Sequence, residues 1–300
     1  MNHESVAHES RQGRATEWGS REDIINVNAV DWNRVWQAHR AGRGSPERDG
    51  HFWDGRAPSF AKTTLDMDYA DRFLAIVKPE AHWTVLDMGC GSGTLAIPLA
   101  KLVSSVTAVD LSTEMLYVLR EQCETEGIGN VTTIHGRWED DWGRLGIGAY
   151  DVAIASRSMV ADDLRTSILK LDGVARKRVY VVTVAGDGPH DRRLFDAVGR
   201  SLNVGPDYIY NYNMLHQMGI LANVTFIEET RNRTYSNQEE AFASMRRIFD
   251  ELNPREEEKL NAYLKEHLVF GSGSWRLSYD KSSPVGGDVV GEDRRGGHFF

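Results

Sequence analysis

One stretch, Thr84 to Leu102 (TVLDMGCGSGTLAIPLAKL), limits what this chain can fold into more than any other. A short apolar run of β character (Val85, Leu86) passes through Gly89, Gly91 and Gly93, at alternate positions, into a helical pattern carried by Leu95, Ile97, Leu99 and Leu102. Glycines at a strand-to-helix turn permit positive φ and leave no side chain between a ligand and the backbone. The stretch predicts an α/β unit with a ligand seated on its first turn.

The residues around the glycines narrow that ligand. A dinucleotide turn needs G-x-G-x-x-G, and a phosphate loop ends in Gly-Lys-Ser/Thr. Here the third dinucleotide glycine would fall at Thr94, and no lysine follows Gly93. Asp87 instead precedes the first glycine, giving D-x-G-x-G-x-G, and an anion at that point disfavours a pyrophosphate. A second acid, Asp110, closes the next strand-like run, SVTAVD, where a carboxylate accepts hydrogen bonds from both hydroxyls of a ribose. Carboxylates at two successive strand ends suit a ligand that joins a ribose to a positive charge, and S-adenosylmethionine carries a ribose, an ammonium and a sulfonium.

At VLDMGCGSG and AVDLSTEML the sequence resembles the class I S-adenosylmethionine-dependent methyltransferases, in particular the small-molecule branch that includes the ubiquinone/menaquinone biosynthesis enzymes. The resemblance extends from Thr84 to about Ala185 and is looser after the second motif. It implies that Gly89, Gly91 and Gly93 line the methionine part of the cofactor, that Asp87 orders the loop and that Asp110 binds the ribose. Cys90, Leu111, Met115 and Ser156 are further implied contacts. The family commonly carries an acid for the adenine amino group after the third strand. Arg137 holds that place here, so the contact is expected from the Trp138 backbone and Glu139 or Asp140, a stretch that also reads as a charged surface turn.

Acceptor-side residues are less defined. The run YDVAIASRSMV ends in Ser156, Arg157 and Ser158, beside where the methyl group would lie. Arg157 either holds an anionic acceptor group or caps the turn. In PDYIYNYNMLHQMGIL, Tyr212 and His216 are catalytic candidates, His216 as a general base, although Tyr208, Tyr212, Leu215 and Gly219 also trace a packed helix face. Before the glycine turn, His51, Trp53, Arg56 and Tyr69 belong to a segment read either as an anchored loop or as a flap over the cofactor. Two competing functions remain at this level: a nicotinamide dehydrogenase, with which Asp87 and Thr94 conflict, and a non-catalytic cofactor-binding scaffold that activates a partner.

Beyond the turn, β and α patterns alternate, with strands expected at 84–89, 105–110, 131–136, 150–156 and 178–185 and helices at 94–102, 113–126 and 159–174. That alternation implies a right-handed, mostly parallel sheet whose ligands bind at the carboxyl ends of its strands. With the family resemblance, the expected fold is a Rossmann-like, seven-stranded α/β sheet with helices on both faces. VTFIEET and GSWRLSYD are its sixth and seventh strands, and helical patterns at 238–252 and 254–270 form an insertion between them, read as a cap, a lid or a homodimer contact. The expected organisation is a disordered or frayed 1–30, N-terminal helices and flap at 31–80, a methyltransferase domain at 81–280 with its insertion at 237–270, and a mobile tail at 281–300.

Composition excludes some alternatives. A formal charge of −9 over 300 residues argues against a nucleic-acid acceptor and leaves a small molecule as the expected one. Two cysteines support neither a disulfide framework nor a metal site, and no metal is expected. No apolar run approaches the roughly 18 residues that cross a bilayer, and MNHESVAHES has no apolar signal core, so membrane insertion is not expected and the cytoplasm is the expected location.

Overall fold

The computed structural model describes residues 26–41, 50–58, 67–188, 190–204, 208–231, 234–249, 251–279 and 281–290. The chain divides into a short unit, Met1–Asp31, and a main unit, Trp32–Phe300. In the first, Val27–Ala29 forms one 3-10 turn capped by the Asn26 side chain. Residues 1–25 of the expected frayed segment lie outside the described residues.

The main unit begins with α1 (Trp32–Ala41), α2 (Gly50–Asp54) and α3 (Met67–Val77). It continues as β1 (Thr84–Met88), α4 (Ala96–Ala100), β2 (Ser105–Asp110), α5 (Thr113–Glu126), β3 (Val131–His135), β4 (Tyr150–Ser156), α6 (Leu164–Val174) and β5 (Ala175–Thr183). Then come α7 (Arg192–Val198), α8 (Tyr208–Gln217), β6 (Asn223–Arg231), α9 (Gln238–Arg246), α10 (Pro254–His267), β7 (Leu268–Gly271), β8 (Ser274–Leu277) and β9 (Lys281–Val290).

The main sheet runs β3-β2-β1-β4-β5-β9-β6. Strands β1 to β5 are mutually parallel at every pairing, which is the α/β Rossmann-like centre that the β/α alternation predicts. Side chains of period two feed two cores. Val85, Ala108, Ile154 and Val182 join α3, α4 and α5 on one face, while Leu86, Val109, Ala155 and Val181 join α1, α6 and α8 on the other. The strand order reverses between β1 and its neighbours β2 and β4. A crevice at the carboxyl ends of these strands is the ligand position such a sheet creates.

The later elements depart from expectation. GSWRLSYD does not join the main sheet: Ser274–Leu277 pairs with Leu268–Gly271 in a separate two-stranded hairpin, and Trp275 adds an isolated antiparallel bridge to Tyr235. Its turn is made by Ser272 and Gly273, at φ +53° and +81°, and two successive positive φ values fold a strand back onto its immediate neighbour. The remaining sheet position is filled by Lys281–Val290, which had been expected to be mobile. Pro284 lies outside the residues 287–290 that pair with β5, and it faces Glu228 of β6 next to the register shift between Phe226 and Glu228, an irregularity of the kind where a sheet accommodates proline. The helical patterns at 238–252 and 254–270 end early, at Arg246 and His267, and a third core of Leu194, Met245, Phe249, Leu260 and Leu264 holds them against α7.

Candidate active site

Register places the key side chains on one face. Asp87 pairs with Ala108 of β2 on one side and Ile154 of β4 on the other, and Asp110 and Ser156 each lie two residues further on. A two-residue step preserves the face, so Asp87, Asp110 and Ser156 all share the side of Ala108 and Ile154. From strand spacings, the Cα atoms of Asp87 and Asp110 are roughly 8 Å apart. Both carboxylates are buried, at 2% and 7% exposure.

The glycine turn hangs on β2. The Gly89 and Cys90 N–H groups donate to the Val109 carbonyl, at 2.7 and 3.0 Å, and the Gly91 N–H donates to Asp110 Oδ2 at 2.8 Å. All three glycines have positive φ, but their missing side chains serve different ends. A Cβ on Gly93 would lie 2.4 Å from Leu119 Cδ1, and one on Gly89 2.2 Å from the Ser158 Cβ, so these two permit close packing. A Cβ on Gly91 would meet nothing within 4 Å. Gly91 alone of the three opens onto free space beside Asp110.

The two acids differ in how they are satisfied. Asp110 accepts from Gly91 N–H and, through Oδ1, from Ser112 N–H at 2.9 Å. Burial raises its pKa, and those same two N–H groups oppose the rise. A carboxylate has about four acceptor sites, so Asp110 retains capacity for hydroxyl donors. Asp87 has no hydrogen-bond partner among the described residues. Burial, reinforced by the nearby charge of Asp110, pushes its carboxyl up to about 7. A buried acid without a partner beside a backbone left bare fits a ligand that brings its own positive charge.

At the end of β4, Ser156 Oγ and the Tyr69 hydroxyl lie 2.6 Å apart, and the Arg157 guanidinium sits 3.9 Å above the Tyr69 ring. Arg157 holds φ +54°, an unusual conformation for a non-glycine residue. Ser158 ties three loops together: its hydroxyl donates to the Met88 carbonyl and its carbonyl accepts from Trp138 Nε1 at 2.8 Å. Of the earlier segment, Tyr69 is therefore brought to the site from α3, while His51 is exposed. Trp53 and Arg56 contact Phe52 instead, Trp53 through ring edges and Arg56 through a guanidinium 3.6 Å from the ring centre.

The expected adenine residues are pinned differently. The Trp138 indole is buried, its carbonyl accepts from Lys170 Nζ, and Glu139 is exposed, accepting from Asp162 N–H at 3.3 Å. Asp140 accepts from Arg137 N–H at 2.8 Å. Leu111 follows Asp110, with its carbonyl 3.1 Å from His135 Nε2, and Met115 is buried at the start of α5. The buried Cys90 thiol is pushed well up in pKa, first by burial, so it serves as an apolar wall.

Tyr212 and His216 are exposed, and the buried side of α8 carries Asn211, Met214 and Leu215 instead. Helix α8 starts where Tyr208 N–H donates to the Val184 carbonyl just past β5, so at 1.5 Å per residue Tyr212 and His216 lie about 6 and 12 Å further along it. Of the packed face expected from Tyr208, Tyr212, Leu215 and Gly219, only Leu215 is fully buried. Sequence reading also missed Asp54. Its Oδ1 accepts from the Ser112 hydroxyl at 2.6 Å and from Glu114 N–H at 3.3 Å, and only the turn-rich RGSPERDGHFWDGRAPSFAK segment hinted that this region reached the cofactor side.

Among the described residues, no group of three metal-ligand side chains is gathered, and no helix is long and apolar enough to cross a membrane.

Comparison with known proteins gives the chain's relatives. A family model described as a methyltransferase domain matches residues 85–176. An uncharacterised protein of Haemophilus influenzae is 35% identical over 235 residues, 75% of this chain and 87% of that protein. The ribosomal protein L11 methyltransferase of Desulfitobacterium hafniense is 28% identical over 188 residues, 53% of this chain and 56% of the relative. The ubiquinone/menaquinone biosynthesis C-methyltransferase of Zymomonas mobilis is 36% identical over 64 residues, 21% of this chain and 26% of the relative.

Proposed function

This chain belongs to the class I S-adenosylmethionine-dependent methyltransferases, and from that premise we propose that it methylates a small-molecule acceptor by in-line displacement. The observation that carries the site assignment is the buried Asp87, without a hydrogen-bond partner among the described residues, on the same sheet face as Asp110, with the open Gly91 bonded to Asp110. Asp110 accepts the ribose hydroxyls, and Asp87 faces the positively charged end of the ligand. The bound cofactor supplies a methyl group on an already activated sulfonium. The protein is then left with alignment at about 3 to 3.5 Å and exclusion of water.

The Ser156 and Tyr69 hydroxyls line the entry to that position, and the Arg157 guanidinium, stacked over the Tyr69 ring, places a positive charge beside them that suits an acidic acceptor. Partial similarity to a quinone-biosynthesis methyltransferase supports a small-molecule acceptor. The formal charge of −9 weighs against a polyanionic one.

Two measurements test the reading. Calorimetry with S-adenosylmethionine, S-adenosylhomocysteine and NAD should show binding of the first two only, and tight NAD binding alone refutes the site. Incubating the protein with methyl-labelled cofactor and a fractionated extract should place label in the small-molecule fraction. Label in protein or RNA instead refutes the acceptor class.

A further inference from the structure

The segment around α2 is docked on the cofactor side by an unusual chain of hydrogen bonds. Asp54 Oδ1 accepts from the Ser112 hydroxyl at 2.6 Å. That same hydroxyl oxygen accepts from Met115 N–H at 3.1 Å, and the Ser112 N–H donates to Asp110 Oδ1 at 2.9 Å. Asp110 Oδ2 in turn accepts from Gly91 N–H at 2.8 Å. Four elements, α2, the start of α5, the end of β2 and the glycine turn, are thus linked through two carboxylates and one serine. The docking is close: a Cβ on Gly50 would sit 2.9 Å from the Leu111 carbonyl oxygen.

We propose that Asp54 is a positioning residue for ribose recognition: by taking the one proton of the Ser112 hydroxyl, it keeps that hydroxyl from Asp110 and leaves the spare lone pairs of Asp110 to the ribose. A serine hydroxyl donates once and accepts twice. Met115 N–H occupies an acceptor position, so the proton has to leave in another direction. Ser112 is fully buried, at 0% exposure, and water does not take that proton. Without Asp54, the carboxylate already bonded to Ser112 is Asp110, whose Oδ1 holds the N–H three covalent bonds from the same hydroxyl. A hydroxyl donated to Asp110 would compete directly with a ribose hydroxyl. The Ser112 hydroxyl and the Glu114 N–H lower the pKa of Asp54, which is therefore ionised at neutral pH and the stronger acceptor.

The inference rests on the assignment of Asp110 to the ribose, and the test separates the two. Calorimetry on the full chain compares S-adenosylhomocysteine with its 2′,3′-dideoxy analogue. Wild type should prefer the hydroxylated ligand, and equal affinity overturns the ribose assignment itself. Asp54→Ala should weaken S-adenosylhomocysteine about tenfold and leave the dideoxy analogue unchanged. Asp54→Asn, whose amide oxygen still accepts, should stay near wild type. Adding Ser112→Ala to Asp54→Ala removes the competing hydroxyl and should recover most of the lost affinity. If wild type discriminates but Asp54→Ala weakens both ligands equally, or the double variant recovers nothing, Asp54 only seats α2 and the proposal fails. Should Asp54→Ala not fold, strong loss of ribose discrimination in the folded Asp54→Asn variant would equally refute it.

Discussion

From β1 to β5 every strand pairs in parallel with strands close in sequence, whereas from β6 onward the chain builds an antiparallel edge, a separate hairpin and a helical layer. The first region is organised by repetition of strand and helix, with β1, β2 and β4 largely buried. The second is organised by partners distant in sequence, as when Lys281–Val290 inserts between β5 and β6. The first region holds strained glycines and buried charge, and the second holds a core of its own around Leu260 and Phe249. The contrast teaches that function here is concentrated where the sheet is least free to vary.

The largest expected effect tests the cost of function in the first region. Asp87 is raised to about 7 in the fold from an ordinary 3.8, so the folded state binds the extra proton. Its destabilising contribution is absent below about pH 4, grows as pH rises, and is complete above 7, at up to about 4 kcal/mol. Asp87→Asn should stabilise the ligand-free protein in urea unfolding at pH 8 but not at pH 4. The same substitution should abolish a wild-type rise in cofactor affinity between pH 5 and 7, because a cation favours the ionised acid. A cofactor affinity that is flat with pH in wild type contradicts the role of Asp87.

Next, Leu260→Ala, at 0% exposure in the insertion core, should cost about 3 kcal/mol of stability and leave cofactor affinity within twofold. If the folded variant loses cofactor binding, the two regions are not separable.

Within the glycine turn, Gly93→Ala should also cost about 3 kcal/mol, since left-handed strain adds to the clash with Leu119. Gly91→Ala, which meets open space, should cost only about 1 kcal/mol while weakening cofactor binding at least tenfold. Reversal of this order in calorimetry and denaturation would misassign the open side of the turn.

The smallest effect lies in the insertion. Arg200 and the Asn253 N–H hold the Glu256 carboxyl down to about 2. A depressed acid stabilises above its ordinary 4.5 and loses that contribution as pH falls toward 2. Glu256→Gln should therefore speed hydrogen exchange in α10 at pH 7 but hardly at pH 3, with cofactor affinity unchanged at both.

Legibility followed the same division. Thr84–Met88, Ser105–Asp110 and Tyr150–Ser156 were readable because a parallel strand buried on both faces must be continuously apolar and must end in the residues that meet the ligand. Asp87, Gly91 and Asp110 were visible for the same reason. Tyr69 stood out in the sequence only as one aromatic among several, and Asp54 had no local mark, because a carboxylate that bonds a serine 58 positions away obeys no periodicity. GSWRLSYD announced a strand, but a strand pattern does not name its partner.

By itself the sequence determined the period of the elements, the glycine turn proposed to receive the cofactor and the two acids beside it, since these depend on neighbours a few residues apart. Only the tertiary structure decided which strand fills the far side of the sheet, which face of α8 is buried, and that Asp54 comes to lie over Ser112. Those outcomes are chosen by long-range packing and by competition for single hydrogen-bonding groups, which no local pattern encodes.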